Sequence, residues 1–465
     1  MRITLKQVYT FLFLLGIFFI PFNSYNGISF LGEFKRDGAI IFFLLSFFFL
    51  LLDSFYKGRI KFSKNNLLFH FLILFIVWLF ISTFLNSISV YTNYIKTISG
   101  FNRFIRQIIS LVISIIIFIT AVNIVFYYPL KTIFKIIRKI FFYSFLVVSF
   151  YGVIELLVVY FNVLFLKPIL LLFNYFPFIN VYLDFNGARI SSISYEPPFL
   201  AIYLITIASW MFSYILTSKR IIKYIPTLFV FILTFFSGSR TALIVILVQF
   251  VLFIWIAFSI NKRFQKTIQR FLFLSATLVL LLFIFNGNKV FSAVETKISS
   301  LNFKENLTKS ISNKSRFGIQ YTSLLIFIEH PFTGVGFGQQ AYHAKNKYPK
   351  WATHKNYEFN LYYLNDKVKS FPPGFNLYTR LLAETGIIGS LIFLSFIFLI
   401  FYSCKKLIKN RKDIEKVIPI VLLVSFVGFA INWLQFDSFR VFGFWICLAL
   451  LIQQTQQKKM NNEKK

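Results

Sequence analysis

The sequence predicts an all-α fold: a polytopic membrane helix bundle of about twelve transmembrane helices, with one long extracytoplasmic loop containing short helices. Three observations predict it. Hydrophobic residues make up 57% of the chain, mean hydropathy is +0.72 and 67 residues are Phe, more apolar surface than a soluble protein of this length can hide. Runs of roughly 20 mostly apolar residues recur, each long enough to cross a hydrocarbon core of ~30 Å. These runs do not alternate apolar and polar residues as barrel strands do, so their backbone groups must be satisfied within helices.

In chain order the spans fall near 6–22, 37–54, 66–85, 105–126, 141–165, 197–217, 222–237, 240–260, 267–286, 386–404, 417–434 and 439–455. The first follows Arg2 and Lys6 and ends at Pro21-Phe22-Asn23 without a small-residue cleavage site, so it reads as a retained helix. Residues 169–183 are apolar but broken at Pro177, which suits an interfacial or re-entrant segment with aromatics at headgroup depth. Only the turn-forming Ser237-Gly238-Ser239-Arg240 separates the seventh and eighth spans. Three parts result: residues 1–286 with nine spans, the loop region 287–373, and residues 374–465 with three spans and a tail.

The formal charge is +33, from 49 Lys/Arg against 16 Asp/Glu. Most of it sits in short clusters between spans, such as Lys131, Lys135, Arg138 and Lys139, or Lys405, Lys406 and Lys409. With a cytoplasmic amino terminus these clusters all fall inside, as orientation signals do. No soluble basic domain exists to hold nucleic acid. Both termini are then expected in the cytoplasm of an inner-membrane protein, and the 287–373 loop outside. That loop carries twelve Lys/Arg against five Asp/Glu, a surface suited to an anionic substrate. The two cysteines, Cys404 and Cys447, give neither a disulfide framework nor a metal knuckle. Neither tandem repeats nor inverted halves are evident, which argues against a transporter or flippase.

Residues able to carry chemistry lie on the outward side. Arg189 precedes the sixth span in Gly187-Ala188-Arg189 and Arg240 opens the eighth. Guanidinium is a planar fork of donors that matches phosphate and stays charged, although a lone arginine near a membrane surface commonly serves as an anchor. Arg316 follows Ser315, expected to cap a helix ending at Glu329-His330-Pro331. Gly334-Val335-Gly336-Phe337-Gly338 suits a tight turn and is no dinucleotide fingerprint, since no strand precedes it. His343 and His354 stand among lysines without a third ligand, so no metal site is expected, and each alone reads as a solvent-exposed loop histidine. Arg380 and Glu384 share a helix face four residues apart. Glu384, Glu155 and His70 are ionisable groups at or near membrane depth, each a functional candidate with a buried pair as the plainer alternative.

Ser237-Gly238-Ser239-Arg240-Thr241-Ala242, then Arg316, then His330-Pro331-Phe332-Thr333-Gly334-Val335-Gly336-Phe337-Gly338, then Asn376-Leu377-Tyr378 and Leu382-Ala383-Glu384-Thr385-Gly386 resemble the O-antigen ligase/polymerase superfamily. So does the Arg189 stretch with its following Glu196-Pro197. The resemblance implies a cofactor-free, metal-independent glycosyltransferase acting on an undecaprenyl-pyrophosphate-linked glycan donor and a glycan acceptor. Membrane lipids and a chain-length regulator protein are the further partners it implies. It places the donor pyrophosphate on Arg189, Arg240 and Arg316. Ligases of the superfamily carry a histidine before the re-entering helix, where this chain has Phe375-Asn376. A general base must come from His354, Glu196 or Glu384, and the missing histidine favours a repeat-unit polymerase over a ligase that transfers glycan to lipid A–core. A metal-dependent oligosaccharyltransferase would want acidic ligands in the first outer loop, which offers mainly Glu33 and Asp37.

Overall fold

The computed structural model describes every residue except 1–3, 58–59, 62–65, 219–220, 261, 263, 278–294, 296–309, 369, 411–412 and 464–465. The principal helices are α1 (Leu5–Phe18), α2 (Ala39–Lys57), α3 (Leu67–Leu85), α4 (Gly100–Tyr127), α5 (Leu130–Val159), α6 (Pro197–Thr217), α7 (Ile225–Phe236), α8 (Arg240–Phe258), α9 (Ile311–Glu329), α10 (Leu377–Lys409), α11 (Val417–Asn432) and α12 (Phe442–Glu463). The described strands are the antiparallel pair Tyr94–Ile95 and Ile98–Ser99.

Seven described helices are long and apolar enough to cross a membrane: α2, α3, α4, α5, α6, α8 and α10. Helices α1, α7 and α11 are apolar but have 14, 12 and 16 residues, against the ~20 that a full crossing takes. The expected span at 267–286 lies partly outside the described residues. Residues 169–183 do not form a long helix. A short apolar stretch, Leu164–Tyr175, is followed by exposed Tyr175 and Phe176.

Between lipid-bathed helices the hydrophobic effect adds little, so packing and interhelical hydrogen bonds carry the association. Helix α6 packs on α11 and α8. There Ser209 Oγ meets Ser425 Oγ at 2.5 Å, and Gln249 Nε2 donates to the carbonyls of Ile205 and Val424, each at 3.2 Å. Trp210 stacks on Phe134 with centroids 5.0 Å apart.

Long-range bonds sort the helix ends into two groups. At one end Lys131 pairs with Glu415 at 2.8 Å, and Asn66 Nδ2 donates to Thr455 Oγ1 at 2.8 Å. At the other, Leu377 N donates to Trp433 O at 2.8 Å and Ile190 N to Phe236 O at 3.2 Å. The second end carries the loop helices and the glycine motifs.

Two of those motifs are halves of one joint. Val335 N and Gly336 N donate to the carbonyls of Ala383 and Glu384 at 3.0 and 2.9 Å, and Ile387 N donates to Pro331 O at 2.8 Å. Gly334 (φ +66) lies so close that a Cβ would stand 2.4 Å from the Glu384 carbonyl carbon. Gly386 breaks the helical path inside α10 at φ +63, ψ −166. The turn expected at Gly334–Gly338 is present, and its partner is a kink fifty residues away in the chain.

One local expectation fails. Helix α9 starts at Ile311 after Ser310, so Ser315 is no cap. Its hydroxyl is buried instead against Asn356, whose Nδ2 donates to it at 3.1 Å. Arg316 consequently sits in the second helical turn.

Candidate functional site

Arg189, Arg240 and Arg316 line one cavity of about 390 Å³, at the end of the bundle that carries the loop helices. Local structure places each of them. After α7, Ser237 Oγ donates to Thr234 O at 2.8 Å and accepts from Ser239 N at 3.3 Å. Ser239 then caps α8 by accepting from Ala242 N, which makes Arg240 the first helical residue. Gly238 sits at φ +70, and a Cβ there would lie 3.0 Å from the Arg189 side-chain stem. Glycine thus supplies the turn and lets Arg189 cross it.

The Arg189 segment is held from within the membrane region. Glu155 of α5 is fully buried, and its Oε1 and Oε2 accept from Ser191 N at 3.1 Å and Ser192 N at 2.7 Å. Ala188 and Ser192 take left-handed φ values of 45° and 52° around the arginine. Glu155 is therefore an anchor for a strained turn. His70, flagged alongside it, lies on an exposed face of the first turn of α3.

Arg316 Nη1 donates to Gln435 Oε1 at 2.9 Å, and its guanidinium lies 5.1 Å over the Phe375 ring. Its Nε is buried with no hydrogen-bond partner among the described residues. Burial holds this guanidinium below the usual arginine range; Glu358 opposes that shift and Arg240 adds to it.

The electrostatics favour an anion. Among the described residues the cavity lining includes no carboxylate. Pro197 and Pro198 at the start of α6, Arg240 at the start of α8, and Ser312 and Asn313 at the start of α9 all face it. Helix starts carry the positive end of the dipole, although Pro197 and Pro198 bring no N–H, so α6 contributes its dipole alone. Three positive helix ends combined with three guanidinium groups suit a phosphate or diphosphate held by forked hydrogen bonds.

The other sequence candidates lie elsewhere. Glu196 is exposed at the N-cap of α6 and lines a neighbouring cleft of about 480 Å³, with Pro197 and Pro198 between it and the arginines. Tyr362 lies within electrostatic reach of both Glu196 and Arg316. Burial, then Glu358, Tyr357 and Glu196 raise its phenol, and Arg316 opposes them. His354 is exposed after the short helix Lys350–Thr353, outside the cavity lining, and its carbonyl accepts from Lys314 Nζ at 3.2 Å. Glu384 is also outside that lining. It is buried and paired with Arg380 at 3.0 Å, as their spacing suggests.

His343 corrects the expectation of an exposed loop histidine. It is half-buried, 3.4 Å from Ser89 Oγ and 5.9 Å ring to ring from His330. Sequence reasoning missed Gln435 and Phe375 as neighbours of Arg316. Both lie more than fifty residues from it, and an amide at the end of an apolar span carries no local signature.

No curated protein gives a match to the chain. Residues 225–394, which include Arg240, Arg316 and both halves of the glycine joint, match the family described as O-antigen ligase. That match supports a likeness to the O-antigen ligase/polymerase superfamily over those residues.

Proposed function

We propose that this chain is an inner-membrane glycosyltransferase that polymerises undecaprenyl-pyrophosphate-linked glycan repeat units, without a metal or other cofactor. About twelve crossings, with both termini in the cytoplasm, put the arginine cavity on the extracytoplasmic face. The observation carrying the reading is the meeting of Arg189, Arg240 and Arg316 around a space with no carboxylate in its described lining.

In this reading an acceptor sugar hydroxyl attacks the anomeric carbon of the lipid-linked donor. The new glycosidic C–O bond forms as the bond from the anomeric carbon to the pyrophosphate oxygen breaks. Undecaprenyl pyrophosphate leaves with the bonding pair, and the hydroxyl proton passes to a base. The arginines stabilise charge developing on the leaving group, a contribution largest in a site shielded from water. Glu196 suits the base best of the three candidates, because it stands one residue from the cavity wall and is exposed.

Deleting the gene and complementing with Arg240→Ala tests the reading on surface-glycan gels. The expected result is a polymer ladder collapsed to single repeat units, with the variant present in the membrane at normal level. A wild-type ladder contradicts the proposal.

The family description favours a second reading, transfer of finished glycan to lipid A–core. The same gels separate the two. Loss of a polymerase leaves single units on lipid A–core, whereas loss of a ligase leaves none and lipid-linked polymer accumulates. Phe375, standing where the resemblance calls for histidine, supports the polymerase.

A further inference from the structure

We infer that the cleft beside the arginine cavity is a sugar-binding subsite, which seats the acceptor glycan with its hydroxyl toward Glu196. The inference rests on the glycosyltransferase reading and adds the place of the second substrate.

The cleft is built from separate segments stitched together by hydrogen bonds. Ser24 N donates to Phe178 O at 3.1 Å, Ser24 Oγ to Asn180 O at 2.7 Å, and Tyr195 N to Asn23 Oδ1 at 2.8 Å. The chain after α1 and the chain before α6 are thereby fixed as facing walls. Arg36 lies over Tyr195, with its guanidinium carbon 3.4 Å from the ring centroid.

Two donors at this cleft are buried without partners among the described residues: Arg36 Nη1 and Tyr25 Oη. Buried donors left unmade cost free energy, and a ligand that brings acceptors recovers it. Tyr182, 67% exposed, offers an open ring on the same wall, and Asn26 and Asn180 add amides that both donate and accept.

The charge pattern sets this cleft apart from its neighbour. The arginine cavity has three cations and no carboxylate in its described lining. The cleft's described lining has one cation, Arg36, and one carboxylate, Glu196, among phenols and amides. The first suits a diphosphate. The second suits a neutral polyhydroxylated ligand, whose hydroxyls pair with amides and carboxylate and whose C–H faces lie on aromatic rings. Tyr195 and Glu196 line the cleft while Pro197 and Pro198 line the cavity, so the two spaces share a wall. A hydroxyl beside Glu196 is then poised to meet a donor sugar whose diphosphate lies among the arginines.

Binding to the full-length protein in lipid nanodiscs tests this with two probes. One is inorganic pyrophosphate; the other is the oligosaccharide released by mild acid from the source strain's own surface glycan. Wild-type protein is expected to bind both. Tyr195→Ala and Asn180→Ala should each weaken oligosaccharide binding about tenfold and leave pyrophosphate binding intact. Arg240→Ala should do the reverse. Oligosaccharide affinity unchanged in both cleft variants, or no oligosaccharide binding by wild type, overturns the subsite. Pyrophosphate binding that survives Arg240→Ala overturns the arginine reading alone. Should Tyr195→Ala lose both probes through misfolding, Asn180→Ala, whose side chain is exposed, decides the matter.

Discussion

Two groups of three arginines occupy the same end of this bundle and are used in opposite ways. Arg189, Arg240 and Arg316 surround a cavity with no carboxylate in its described lining. Arg103, Arg380 and Arg440 lie in a buried network with acids at hand. Arg380 pairs with Glu384 at 3.0 Å and donates to Asp437 O and Gln107 Oε1, each at 2.7 Å. Gln107 Nε2 donates in turn to Glu33 Oε1 at 2.7 Å, with Arg103 3.8 Å from the same oxygen. Arg440 reaches Asp37 at 3.5 Å and the Glu33 carbonyl. The network ties the loop before α2, the start of α4, the kinked start of α10 and the loop before α12. A guanidinium paired with acids inside the protein holds structure together; guanidinium groups converging on one cavity, with no carboxylate in its described lining, are suited to an incoming anion.

Removing one arginine from each group gives the largest contrast. Breaking a buried pair leaves its partner charged and unsolvated, so Arg380→Ala should cost about 3–5 kcal/mol and deplete the protein from the membrane. Arg316→Ala should cost about 2 kcal/mol, because it loses a charge-assisted hydrogen bond to Gln435 and a ring contact but leaves no buried carboxylate unpaired. On the proposed function, its polymer output should nonetheless fall by about 100-fold or more. Thermal melts in detergent read the first effect and glycan gels the second. If Arg316→Ala melts as early as Arg380→Ala, the two groups are not distinct.

A subtler change misaims one cavity arginine without removing charge. Gly238→Ala puts a side chain at φ +70, 3.0 Å from the Arg189 stem. The backbone strain is worth about 1–2 kcal/mol, and Arg189 must shift. Pyrophosphate affinity should fall by about tenfold, a loss of the order expected for one charge-assisted hydrogen bond, while the Arg380 network is undisturbed. Unchanged affinity would mean that Arg189 is not positioned by this turn.

Seven apolar spans could be read from sequence because hydropathy is local, and Arg189 and Arg240 because each sits in a polar turn at a span end, whereas Arg316 lies inside a loop helix and was marked by the resemblance. The Arg380–Glu384 pair was legible from helical spacing. Other roles depended on distant partners. Glu155 draws the eye as a charge in a span, but its task is set by backbone amides 36 and 37 residues later. Ser315 looked like a cap until Asn356 claimed it from 41 residues away. The glycine run and the Ala383–Gly386 kink each looked like a separate device, whereas hydrogen bonds between them make one joint. Pairing across that distance leaves no periodicity to detect.

The smallest net effect comes from the half-buried, neutral His343, which Asp37 partly offsets. Burial first, then His330 and Lys347, push its imidazole down to about 4, with Glu329 opposing. The unfolded chain titrates near the ordinary histidine value of about 6.5 and takes up the proton first. Stability from neutral His343 is therefore complete above that value and is lost as pH falls toward 4. By pH 5 the loss is about 2 kcal/mol. Asp37 works in the other direction. Burial lifts its carboxyl to about 6 against the pull of Arg440, so protonation below that pH favours the folded state. The wild-type profile mixes the two, and the difference between wild type and His343→Gln isolates the histidine. Melting at pH 7 and pH 5 should show the variant losing less stability than wild type on acidification. Equal losses would mean that His343 takes up its proton as readily folded as unfolded.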